Sequence, residues 1–156
     1  MSRDNQKNLV QFCRELGLIV NEILNSSNKL LSALVELLRL YRPKLQDEAE
    51  EFYDIRFNLP DSVGLLCDIQ KITMPDDDEF YDSVAPLCEM ALDIANRMVS
   101  ANVIINDIIT MYFEPSNNDM YIHLCLTMLN PVSNSILYIR SKLENYLRRQ
   151  VKYGRT

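Results

Sequence analysis

The chain has 156 residues, 47% of them apolar and 24% charged, with three glycines, no tryptophan and a formal net charge of −6. This composition is that of a folded chain rather than a disordered one, the length suits one domain with its own core, and so few glycines argue against a fold of many strands and tight turns. The acidic balance argues against a chain devoted to nucleic acid, and no run of some eighteen consecutive apolar residues marks a membrane span.

The first predicted element is an unbroken heptad. Leu9, Cys13, Leu16, Val20, Ile23, Ser27, Leu30, Leu34, Leu37 and Tyr41 recur at alternating steps of four and three. That spacing keeps every side chain on one stripe of a helix, and Ser27 is the polar exception. Asn25-Ser26-Ser27-Asn28 offers a place for a turn. The register nevertheless passes through it without slipping, and Asn or Ser inside a helix costs only several tenths of a kcal/mol relative to Ala. One long helix is therefore expected over about 4–42, ending before Pro43 because the residue preceding a proline is pushed out of the α region.

A second rod is expected in two short pieces, about 43–57 and 61–73, divided at Asn58-Leu59-Pro60-Asp61. Pro43 suits a helix start, and Asp47, Glu48, Glu50 and Glu51 suit the positive end of its dipole. In the second piece Val63, Leu66, Cys67 and Ile69 or Gln70 form a narrow face.

Pro86 argues against a helix that runs on from Asp76, because proline removes a backbone bond and crowds the preceding turn. The expectation is an acidic turn over Asp76–Asp82 and a fresh helix over about 83–113, capped by Ser83, with Val84, Leu87, Ala91, Ile94, Met98, Ala101, Ile105 and Ile108 inward. The last helix spans about 118–153 and is kinked or split near Pro131. Tyr121, Leu124, Cys125 and Met128 precede the kink on its apolar face, and Val132, Ile136, Ile139, Leu143, Leu147 and Val151 follow it. Four rods, the second broken, predict a single all-α domain over 1–156, an up-down-up-down four-helix bundle.

Little in the sequence points to chemistry. His123 is the one histidine and has no acid nearby to orient it. There is no Glu-x-x-His pattern, no glycine-rich phosphate loop, and Asp76-Asp77-Asp78-Glu79 lacks the alternating ligands and central glycine of a calcium loop. Cys13, Cys67, Cys88 and Cys125 lie far apart, with no CxxC pair, so reduced thiols are expected rather than disulfides or a zinc site. No enzymatic activity, catalytic residue, cofactor, metal or small-molecule substrate is expected.

Charge is more informative. Residues 1–46 balance at +3, 47–119 at −14 and 120–156 at +5. Within the acidic middle, Glu-Phe-Tyr-Asp occurs twice, bringing Phe52 with Tyr53 and Phe80 with Tyr81. Two adjacent rings cannot both lie on one narrow stripe, so at least one of each pair is expected at the surface, where aromatic residues favour protein contacts. Arg148, Arg149 and Lys152 form a positive cluster in the last helical turns. The expected function is a non-catalytic intracellular protein–protein interaction module, an adaptor or a subunit of an assembly, with other proteins or a second copy of the chain as partners. The polar amino terminus, with no secretory signal, sets the expected location. Two alternatives are a nucleic-acid-associated subunit using the basic last helix, and a regulator that receives a partner helix in a groove left by the broken second rod.

Overall fold

Every heptad position from Leu9 to Leu37 is buried in the computed structural model, which describes residues 3–41, 54–72, 78–111 and 115–153. These positions form the spine of helix α1 (Arg3–Tyr41), which runs through Asn25–Asn28 without a break. At 1.5 Å per residue it is about 58 Å long. Phe12 and Ala33, just off the stripe, are buried as well. They widen the seam to a face that meets several neighbours at once.

The second rod contains a helical turn at 54–57 and then α2 (Ser62–Gln70). The expected break lies between them, and the part of the expected first piece before 54 falls outside the described residues. Asp61 caps α2, its Oδ1 accepting from the Gly64 amide at 2.9 Å. The face that α2 turns inward differs in part from the expected one. Ile69 is buried and Leu66 half-buried against the core, as expected, but Val63 and Cys67 are exposed and Ser62 and Leu65 are buried in their place. The cause is a polar contact from another helix: Asn102 Nδ2 donates to the Pro60 carbonyl at 2.7 Å and to Ser62 Oγ at 3.2 Å. Apolar residues surround much of this nine-residue helix, so those hydrogen bonds decide its rotation.

Helix α3 (Asp78–Met111) begins before Pro86 and continues through it, which corrects the expected start at Ser83. Pro86 and Asp82 are both exposed. The Asp82 carbonyl, deprived of the amide of residue 86, therefore lies on the solvent side of the helix, where a carbonyl that loses its helical bond is open to hydration. On the opposite side Val84, Leu87 and Ala91 are buried and hold the helix in register across the proline.

Pro115 occupies the first position of α4 (Pro115–Leu129), where its missing amide costs nothing. The turn at Asn130-Pro131 separates α4 from α5 (Val132–Tyr153), as the sequence predicts. The helices α1 and α3 pack together along the middle of the bundle. The broken second rod and the α4–α5 rod lie on opposite sides of this pair, and each touches both of its helices. Arg140 of α5 donates to Asn21 of α1, and Cys125 of α4 lies 3.9 Å from the Ala101 carbonyl of α3. The result is an all-α four-rod bundle with a continuous core drawn from every helix.

Candidate interaction surface

Helix α4 carries apolar residues on its outer side as well as on the side that meets the bundle. Its inward residues are Ile122, Cys125 and Leu129, each at most 3% exposed. Met120, Tyr121 and Leu124 point the other way and are 60%, 42% and 43% exposed. This corrects the expected face, which turns Tyr121 and Leu124 inward. Met120, Tyr121 and Leu124 share this outer side with the exposed Asp119, His123 and Thr127, so apolar and polar residues are poorly separated around α4. That weak separation is the sequence signal that marks this surface, and a search for inward residues alone passes over it.

The outward apolar strip continues on α5. Val132, Ile136, Ile139 and Leu143 face the core, while Leu137 and Tyr138 are 62% and 50% exposed. The Lys142 ammonium lies 5.5 Å from the centre of the Tyr138 ring, within range of a cation–π contact. Beyond it the face becomes positive. Arg140, Lys142, Arg148 and Arg149 project from α5, and Glu144 is its one acid. Helix α3 carries the complementary surface. Glu89, Asp93, Asn96, Ser100, Val103 and Asp107 follow one another at steps of three and four and are all exposed. Asp93 pairs with Arg97 of its own helix at 3.1 Å.

Of the residues singled out from the sequence, Phe52 and Tyr53 lie outside the described residues. Phe80 and Lys152 are placed on α3 and α5, but their side chains lie outside what the structure describes. Tyr81 is 48% exposed, and Arg148 and Arg149 are exposed. Because α3 and the α4–α5 rod run antiparallel as neighbours, the start of α3 and the end of α5 share one end of the bundle. Tyr81 and the two arginines thus lie at the same end, on adjacent rods.

The groups with chemical potential are dispersed. Burial pushes the thiols of Cys13, Cys88 and Cys125 up to about 11, which keeps them protonated at neutral pH. Cys67 is exposed on α2. His123 points to solvent. Among the described residues no three His, Cys, Asp or Glu side chains gather where they would hold a metal ion. Two clefts of about 430 and 400 Å³ flank Lys29 between α1 and the second rod. Ala33, Ile55 and the carbon stems of Lys29 and Arg39 make the open wall of the first largely apolar, with Glu36 and Asp54 at its polar edge, whereas Glu22, Asp61 and Asp68 make the second mostly polar.

The stretch Asp119–Arg149 is long and apolar enough to cross a membrane by length and composition alone, although the sequence offers no run of eighteen consecutive apolar residues. A third of its most apolar window is buried in the bundle, and the turn at Asn130-Pro131 interrupts it. The same apolar surplus produces both this span-like composition and the open face of α4. In comparison with known protein families, curated proteins and solved structures, nothing matches the chain.

Proposed function

We propose that the chain is a non-catalytic intracellular protein–protein interaction module, an adaptor or a subunit of an assembly, which docks through the outer face of α4 and α5. The observation that supports this is the open strip of Met120, Tyr121, Leu124, Leu137 and Tyr138, five exposed large apolar side chains on one rod, where α1, the second rod and α3 each show two. Single exposed apolar side chains are ordinary on any protein. Five large ones along a single rod form a surface of the kind that partners cover. The exposed thiol of Cys67 suits a reducing compartment.

The basic cluster at Arg148 and Arg149 alone would also suit nucleic acid, but phosphate binding gives the apolar half of the face no role. Docking of a protein uses both halves. Affinity capture with mass spectrometry, comparing the wild type with Leu124→Glu/Leu137→Glu, tests the proposal. Circular dichroism should show the same helix content for both, since both substitutions lie at exposed positions. A protein captured by the wild type and lost from the variant supports the docking face; identical captured sets overturn it.

A further inference from the structure

Building on that docking face, we propose that its partner is a second copy of this chain, held side by side about a twofold axis parallel to the rods. In this arrangement the outer face of α3 in each copy lies on the α4–α5 face of the other.

The argument rests on the register of charge along two adjacent rods. Helix α3 and the α4–α5 rod are antiparallel neighbours, tied together where Cys125 meets the Ala101 carbonyl. The acidic half of α3, with Glu89 and Asp93, therefore lies toward the same end of the bundle as the basic half of α5, with Lys142, Arg148 and Arg149. Val103, 56% exposed on α3, lies instead toward the end that carries Met120, Tyr121 and Leu124. Between Glu89 and Val103 the α3 face thus passes from acidic to apolar in the direction in which the α4–α5 face passes from basic to apolar, and Asp107 on α3 and Asp119 on α4 return an acid to the far end of each. Among the described residues, Glu89, Arg148 and Arg149 form no ion pair within the molecule.

A twofold axis parallel to the rods sets α3 of one copy against α4–α5 of the other and keeps the ends aligned. Acid then meets base and apolar meets apolar, twice over, as an isologous interface requires. The alternative twofold, lying across the rods, sets each rod on its own copy reversed end for end. The charged stretch of one copy then faces the apolar stretch of the other, and the match is lost. Asn96 and Ser100, between the acidic and apolar halves of the α3 face, are short and uncharged, so the middle of that face sets no charge against the facing helix. A face about 50 Å long and two helices wide offers on the order of 1,000 Å², above the roughly 800 Å² per partner of a stable interface.

Sedimentation velocity of the full chain over a range of concentrations, in low and high salt, reads the assembly directly. The wild type should sediment as a dimer of the 18.2 kDa chain in low salt, with dissociation rising at least tenfold in high salt. Glu89→Lys/Asp93→Lys and Arg148→Glu/Arg149→Glu should each be monomeric, because each sets like charge against like. Mixing these two variants restores opposite charge at one of the two contacts, where reversed acid meets reversed base, and leaves the other as in the wild type, so the mixture should form heterodimers. That rescue also shows that neither variant failed to fold. A wild type monomeric at every concentration and salt, or charge variants that dimerise as the wild type does, overturns the proposal. A monomeric wild type that floats with phosphatidylserine vesicles overturns it in favour of a lipid surface. The docking face itself is judged separately, since capture that still depends on Leu124 and Leu137 in a monomeric chain removes the second copy as partner and leaves the face standing.

Discussion

The four cysteines share no chemistry, only a residue type, and their surroundings separate them. Cys67 is exposed on α2, while burial raises the thiols of Cys13, Cys88 and Cys125 from 9.0 to about 11. Alkylation proceeds through the thiolate. At pH 8 in native buffer, iodoacetamide should therefore modify Cys67 within minutes and the other three at least tenfold more slowly; in denaturant all four should react alike, as peptide mapping would record. The same shifts couple stability to pH. Raising the folded pKa of a thiol means that the unfolded chain loses its proton first, so the fold is favoured fully below about pH 9 and less as pH rises toward 11. The urea midpoint should fall across that interval. Pro86 makes a second residue-scale case. It lies well inside α3 and is exposed, and its missing amide leaves the Asp82 carbonyl to water. Pro86→Ala restores the helical bond and should stabilise the fold by about 1–3 kcal/mol, measured as a higher urea midpoint with unchanged slope.

At the scale of elements, legibility follows the length of the pattern. The heptad of α1 repeats over more than thirty residues, so its buried face and its passage through Asn25–Asn28 are both readable from spacing. The broken second rod and the Asn130-Pro131 turn are readable from local chemistry, because proline and its neighbours act within a turn. Pro86 misleads for the opposite reason: its penalty of about 3 kcal/mol is local, whereas the packing of a 34-residue helix that outweighs it is not. The rotation of α2 depends on Asn102, forty residues away from Ser62, and no periodicity within α2 contains that information. The outward strip of α4 escapes a reading by periodicity, which turns apolar residues inward by default. The account of α2 has a direct test. Asn102→Leu leaves the Pro60 carbonyl and the Ser62 hydroxyl without their donor, at a cost of about 1–3 kcal/mol. Hydrogen exchange should quicken selectively in the amides of α2, with those of α1 and α3 changing little. Equal acceleration throughout the chain would show that Asn102 does not govern this rod separately.

Across the whole molecule, α1 and α3 each touch every other described helix, and α1 is the longer of the two. Its stripe faces the second rod, α3 and the α4–α5 rod, so no helix can settle its full apolar face until α1 is in place. The ties are long in sequence as well. Asn21 accepts from Arg140, 119 residues away, so docking of α5 closes a loop that contains most of the chain. Such a plan predicts one cooperative transition rather than independent melting of rods. Ile23, fully buried near the middle of the α1 stripe, is the place to test it. Ile23→Ala removes most of a side chain from a site walled by several helices and should cost about 2–5 kcal/mol. If α1 is the common spine, helicity by circular dichroism and tyrosine fluorescence will shift to the same lower urea midpoint and remain superimposable. Tyr121, Tyr138 and Tyr146 of the α4–α5 rod contribute to the fluorescence signal, so it samples helices that Ile23 does not belong to. A fluorescence midpoint left unchanged while helicity falls would mean that the α4–α5 rod holds together with α3 without α1, and the bundle would then be two units rather than one.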